Sequence, residues 1–319
     1  MKLRKVAIVG AGHVGSHVAL SLLQSGTADE IVLLDIDKDK AFGQALDLGD
    51  AVSGALCGRD TRIYAGDYAD ISDADILVLA FGRSRRPGET RLDMFDDSIR
   101  MANDVIRHLK EQNFSGILIS ISNPADIICE YVRQKMSWPA NRCFCTGTSL
   151  ETYRLLRVLS RLTGVSRRSI QAFCMGEHGN SSVIVWSHIR IAGYPIEEYY
   201  RRHPELPPLD RAAVQKEVKE SGDWEVDGKG CTEFGIANVA CMLIQAIFHD
   251  QKLFWPCSTV LNGEYGEANV AAGVPCIIGR HGIEEICDLP LSPEEAENFH
   301  VSCSIIRGFL DRAHSLESK

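Results

Sequence analysis

A glycine turn set between a strand and a helix constrains this chain more than any other feature. Val6 to Val9 is a continuous apolar run of strand length, Gly10-Ala11-Gly12-His13-Val14-Gly15 follows at once, and Val14 to Ser25 has helical spacing. Glu30 to Asp35 reads as the next strand, and it ends on an acid 20 residues beyond Gly15. A GxGxxG run alone is a weak signal. Between a strand and a helix, with an acid closing the second strand, it reads as the turn of a βαβ unit that holds a dinucleotide. Gly10 is expected to permit the tight turn, Gly12 to let backbone approach a pyrophosphate, and Gly15 to let helix and strand pack closely. Gly10, Gly12, Val14, Gly15 and Asp35 are thus the expected cofactor-binding positions. A carboxylate at Asp35 accepts from both ribose hydroxyls and repels a 2′-phosphate, so NAD is expected over NADP.

The same grammar continues. Asp75 to Ala80 and Ile117 to Ser122 are apolar runs of strand length, with a helix expected from Leu92 to Lys110 between them. Later segments change character. A helix is expected over Leu150 to Leu162, an alternating strand over Val183 to Ile191 leading into a Gly193-Tyr194-Pro195 turn, and a helix over Lys229 to Asp250. Ser292-Pro293-Glu294-Glu295 is a capping box with proline at the first helical position, so a terminal helix should follow. Its stripe of Phe299, Val301, Ile305, Ile306, Phe309 and Leu310 is expected to face the core. At roughly 150 residues per domain, 319 residues allow two. The expected fold class is α/β, with a Rossmann-type doubly wound parallel sheet over residues 1–145 and a mixed α/β domain over 146–319.

Composition narrows the partners. Acids outnumber bases 43 to 34, a net charge of −9, so neither nucleic acid nor an anionic membrane is an expected partner. No apolar run approaches the roughly 18 residues of a membrane helix. Lys2, Arg4 and Lys5 before Val6 mimic a signal peptide, but Gly10, Gly12, His13, Gly15 and His17 suit a loop better than a signal core. Eleven cysteines without a dense framework fit reduced thiols in a cytoplasm, with Cys129 and Cys145 read as small buried hydrophobes. The nearest pair, Cys143 and Cys145, lacks CxxC spacing, and no metal site is expected. Tyr131 and Lys135 form a Y-x-x-x-K pair of the short-chain dehydrogenase kind, but that family's glycine pattern is G-x-x-x-G-x-G, so the pair is read as accidental.

Chemistry concentrates at Gly176-Glu177-His178-Gly179-Asn180-Ser181, where a histidine stands between glycines next to an acid. An imidazole titrates near neutrality and suits proton transfer. With Val9 to Gly15, it joins Pro87-Gly88-Glu89-Thr90-Arg91-Leu92-Asp93, Ser122-Asn123-Pro124, Gly147-Thr148-Ser149-Leu150-Glu151-Thr152-Tyr153-Arg154 and Lys229-Gly230-Cys231-Thr232. Together, in order and over nearly the whole chain, these segments resemble the NAD-dependent L-lactate/malate dehydrogenase family. The resemblance implies reversible reduction of a small 2-oxo acid by NADH, with residues 146–319 as the catalytic domain. It makes His178 the proton donor, Arg154 the anchor of the substrate carboxylate, and Arg91 a mobile-loop arginine that polarises the carbonyl. Asn123 is implied near carbonyl and nicotinamide, and Thr232 in the side-chain pocket. A homodimer or homotetramer is implied by the resemblance alone.

Three departures bear on activity. The family holds its histidine with an aspartate three residues before the arginine, whereas this chain has Glu151, whose extra methylene must be accommodated. Asn180 stands where lactate enzymes usually have Asp, as in branched 2-hydroxy-acid (hydroxyisocaproate) relatives. Six residues before Arg91, where the family meets the substrate side chain, stands Arg85, which argues for the second carboxylate of oxaloacetate. Arg83 and Arg86 crowd the same loop, and a basic solvated loop closing on cofactor phosphates is the other reading. The Gly-Glu-His-Gly sequence is nearer to lactate than to malate enzymes. Leu156 and Gln171 replace the arginine and histidine of relatives activated by fructose 1,6-bisphosphate, so no such activation is expected. A non-catalytic NAD-binding redox sensor is the alternative of another class, and Arg91, Arg154 and His178 form a set that a sensor does not need. Another NAD enzyme on a similar fold, such as a metal-requiring glycosidase, is a further alternative.

Overall fold

The structure, a computed structural model, describes residues 3–55, 57–83 and 91–316, with residues 91–93 as backbone alone. The chain opens with β1 (Lys5–Val9), α1 (His13–Ser25), β2 (Glu30–Leu34), α2 (Lys38–Val52) and β3 (Arg62–Ala65). It continues with β4 (Ile76–Leu79), α3 (Arg91–Lys110), β5 (Ile117–Ser120), α4 (Ala125–Met136), β6 (Cys143–Cys145) and α5 (Ser149–Thr163). The six strands are parallel in the order β6-β5-β4-β1-β2-β3. Every residue of β1, β2, β4 and β5 is buried, as expected of central strands covered by helices on both faces. The strand order reverses between β1 and β4, and that crevice, at the carboxyl ends of the strands, is where such sheets take ligands.

Short strands follow: β7 (Ile170–Gln171), β8 (Cys174–Met175), β9 (Val183–Ile184), β10 (Arg190–Ile191) and β11 (Tyr194–Pro195). Then come α6 (Ile196–Arg202), α7 (Arg211–Lys229), α8 (Phe234–Phe248), β12 (Leu253–Asn262), β13 (Ala268–Gly279), β14 (Gly282–Ile286) and α9 (Pro293–Ser315). The antiparallel trio β12 to β14 extends the first sheet, with Ser258 of β12 opposite Cys145 of β6. Among the described residues one nine-stranded sheet therefore runs through both parts of the chain. No single helix in them is long and apolar enough to cross a membrane.

The structure corrects three local expectations. Val183 to Ile191 is not one strand. A 3-10 turn over Trp186–His188 divides it, because Ser187 gives its amide (2.9 Å) and hydroxyl (2.7 Å) to Glu295 at the start of α9. The Lys229 to Asp250 helix is broken after Lys229, where Gly230 takes a left-handed φ of 89° and caps α7. In α9 the capping box forms and Phe299, Ile306 and Leu310 are buried, but Val301 and Ile305 face solvent. Tyr131 lies in the core with its hydroxyl on Asn103 Oδ1 (2.8 Å), and Cys129 and Cys145 are buried free thiols.

Candidate active site

The glycine turn lies at the β1/β4 crevice, and its glycines have different reasons to be there. Gly10 has φ 108°, and a Cβ on it would stand 2.5 Å from Ala80 O. A Cβ on Gly15 would stand 1.9 Å from Gly10 O, so the helix approaches the strand as closely as backbone allows. Gly12 is open instead, with Lys40 Nζ, 3.7 Å away, the nearest atom to an added Cβ. No side chain caps α1 and no acid occupies its first turn, so its amides present a positive end. Val14 is half-buried there against the core. Asp35 accepts from the Ala11 amide (2.8 Å) and stands 3.6 Å from Lys40 Nζ. An open glycine, an uncapped helix start and a carboxylate at the end of β2 fit a pyrophosphate and a ribose diol.

The histidine loop is fixed from below. Gly176, just after β8, exchanges both backbone hydrogen bonds with Gly273 of β13 (2.9 and 2.8 Å). A Cβ on Gly176, at φ 89°, would stand 2.4 Å from Ser302 Oγ. His178 gives its amide to Asp126 Oδ2 (2.7 Å), and its Nδ1 lies 3.1 Å from Glu151 Oε2. Glu151, in the first turn of α5, reaches the imidazole despite its added methylene. Its other oxygen is 3.5 Å from Arg154 Nη1 on the same helix face. Arg154 Nη2 and Thr232 Oγ1 both donate to one atom, Glu225 Oε2 of α7, at 3.0 and 2.8 Å.

Electrostatics follow from burial and charge together. Burial alone lowers the pKa of His178, but the adjacent Glu151 carboxylate outweighs it and, with Asp126, pushes the imidazole up to about 9. Burial raises the carboxyl of Glu151, yet the His178 charge and Arg154 hold it below its ordinary value. Asp126 is raised by burial to about 6, the hydrogen bond from the His178 amide working against the rise. His178 is thus a protonated imidazole at neutral pH, beside a guanidinium fork.

Asn123 is exposed at the end of β5, one residue before the Pro124 cap of α4. Arg85 lies outside the described residues, as does the side chain of Arg91, whose backbone opens α3. Arg83 donates to Asp97 Oδ2 of α3 (2.8 Å). Asp126 and Glu225 escaped the sequence reading. Asp126 had a visible signal, an acid within the apolar run Ala125 to Ile128. Cysteine spacing offered no metal site, but folding brings His13, Cys231 and Glu233 together, their ligand atoms within 4.8 Å of one another. Lys229 already holds Glu233 (2.5 Å), and the cluster adjoins the positive end of α1, which disfavours a cation, so we read it as an ion-pair group.

Residues 4–145 match the model of the lactate/malate dehydrogenase NAD-binding domain, and residues 148–315 that of the family's α/β C-terminal domain. The chain belongs to the lactate/malate dehydrogenase family. It is an NAD-dependent oxidoreductase acting on 2-hydroxy acids. An L-lactate dehydrogenase of Fusobacterium nucleatum is 38% identical over 313 residues, covering 98% of this chain and 97% of that protein. L-lactate dehydrogenase 3 of Bacillus thuringiensis is 37% identical over 309 residues, covering 96% of this chain and 97% of its own. The solved minor L-lactate dehydrogenase of Enterococcus mundtii superposes with TM-score 0.93 at 35% identity over 97% of this chain and 98% of that one. Cryptosporidium parvum malate dehydrogenase superposes with TM-score 0.91 at 27% identity over 98% of this chain and 100% of that one.

Proposed function

We propose that this dehydrogenase interconverts a small monocarboxylic 2-oxo acid of the pyruvate type and its L-2-hydroxy acid, with His178 as the acid and base. The observation that carries the reading is the His178 Nδ1 to Glu151 contact of 3.1 Å beside Arg154. When bound, NADH supplies the hydride. Gly10, Gly12, Val14, Gly15, Asp35 and Asn123 hold the cofactor. Arg154 anchors the substrate carboxylate with two parallel hydrogen bonds. Glu151 keeps Nδ1 protonated, which turns Nε2 towards the carbonyl oxygen to deliver the proton. Arg91 stabilises negative charge on that oxygen, and Thr232 lines the side-chain pocket. Residues 1–145 form the cofactor domain and 146–319 the catalytic domain of a cytoplasmic homodimer or homotetramer.

Relatives of 37 to 38% identity that carry the name L-lactate dehydrogenase support a monocarboxylic substrate. Arg85 supports oxaloacetate instead. NADH oxidation with pyruvate, oxaloacetate and 2-oxoisocaproate, compared at equal concentrations, tests the reading. Pyruvate is expected to be preferred, and a strong preference for either other acid overturns the substrate assignment.

A further inference from the structure

Glu225 stands where the chemistry asks for a substrate. Its Oε2 accepts from Arg154 Nη2 and from Thr232 Oγ1 at once. Resting on the function proposed above, these two donors belong to the two ends of the substrate, its carboxylate and its side chain. A protein carboxylate oxygen therefore lies in the seat of the substrate carboxylate. The backbone makes the contact possible, because Gly222, one turn before Glu225, has no side chain. A Cβ there would come within 3.0 Å of Arg154 Nη2.

The two partners are unequal. The Arg154 side chain is 10% exposed and also faces Glu151, whereas that of Glu225 is 38% exposed. Arg154 is held and Glu225 is free to turn towards water, so an incoming carboxylate takes the arginine and the glutamate yields. The displaced carboxylate remains on α7 beside the pocket, within a side chain's reach of Thr232. A neutral or donor-bearing side chain tolerates that charge, and a second carboxylate is repelled by it.

We propose that Glu225 is a specificity-determining residue, an internal carboxylate that competes for Arg154 and, once displaced, discriminates against dicarboxylic 2-oxo acids. Glu225→Gln keeps the shape and removes the charge, and Glu225→Ala removes the competitor. Both variants should lower KM for pyruvate about 3- to 10-fold, with the change in KM rather than kcat. Both should raise the kcat/KM ratio of oxaloacetate to pyruvate about tenfold. Oxamate, an unreactive pyruvate mimic, should bind the enzyme–NADH complex more tightly by fluorescence titration, a readout independent of turnover. Wild-type oxamate affinity and an unchanged substrate ratio in both variants overturn the proposal, while wild-type turnover leaves the function standing. A wild-type enzyme that turns over none of the 2-oxo acids overturns the function, and the oxamate titration still decides whether Glu225 competes for Arg154.

Discussion

Glu151→Gln removes one charge beside His178 and preserves the length of the side chain. At 3.1 Å and an effective dielectric of about 20, the pair attraction is about 5 kcal/mol, or roughly 4 pKa units. In the native chain this attraction overcomes burial and lifts the imidazole from 6.5 to about 9. Without it burial prevails, and the pKa should fall to about 5 to 6. His178 must hold a proton in order to give one. At about pH 7.5 nearly all native imidazoles are charged, against roughly one in a hundred in the variant. The expected loss in kcat/KM for 2-oxo acid reduction is therefore about 100-fold at that pH, shrinking towards the native value near about pH 5. Initial rates of NADH oxidation across this range read the effect, with NADH binding by fluorescence as the control that should hold. Oxidation of the 2-hydroxy acid needs a neutral imidazole, so its lower pH limb should move down with the pKa. A loss of equal size at every pH refutes the reasoning, because it means that Glu151 acts by position and its charge is immaterial.

Other expectations concern the cofactor turn and stability. Gly15→Ala forces a Cβ against the Gly10 carbonyl and should lower both melting temperature and NADH affinity, whereas Gly12→Ala should keep the melting temperature and lose NADH alone; equal melting losses contradict this division. Asp35→Ser removes the carboxylate beside Lys40, 3.6 Å away, and should raise use of NADPH relative to NADH at least tenfold in kcat/KM. The folded-state pKa of His178 is raised to about 9, so its contribution to stability is fully present below about 6.5 and is lost as pH rises through about 9. Asp126 works in the same sense at lower pH: its folded pKa is raised from 3.8 to about 6, so native protein loses stability as pH rises through that window. That cost is about 3 kcal/mol, and the unfolding free energies of Asp126→Asn and native protein, compared between about pH 4 and 7 by denaturant titration, should diverge accordingly.

Strands β1, β2, β4 and β5 were legible because they are buried on both faces and appear as largely apolar runs, whereas the partly exposed β3 was not. The glycine turn was legible because steric exclusion leaves no other residue at Gly10 or Gly15. Strands β12 and β13 carry Pro256 and Pro275, residues that argue against central strands, and were not expected. In the sheet these prolines face each other in register and serve as acceptors, Pro256 O from Ser149 Oγ and Pro275 O from the Cys287 amide. Helix α7 was hidden for another reason. Only Val214, Val218 and Ser221 of it are buried, and Gly222 and Gly228 lie within it as weak helix formers, so apolar periodicity had almost nothing to report.

The same difference runs through the site. His178, Glu151 and Arg154 lie in short glycine-bounded or helical segments whose residue order carries their chemistry. Asp126 and Glu225 reach them only through folding, across 52 residues to His178 and 71 residues to Arg154. Charge balance therefore could not be read from motifs. In the sequence, Arg85 alone argued for a dicarboxylate. Folding adds two carboxylates that no motif carries, Asp126 on the His178 amide and Glu225 on Arg154. Asp126 accepts from the His178 amide and its charge raises the imidazole pKa. Glu225 accepts from Arg154 and Thr232, and on the proposal above the choice between one carboxylate and two falls to it.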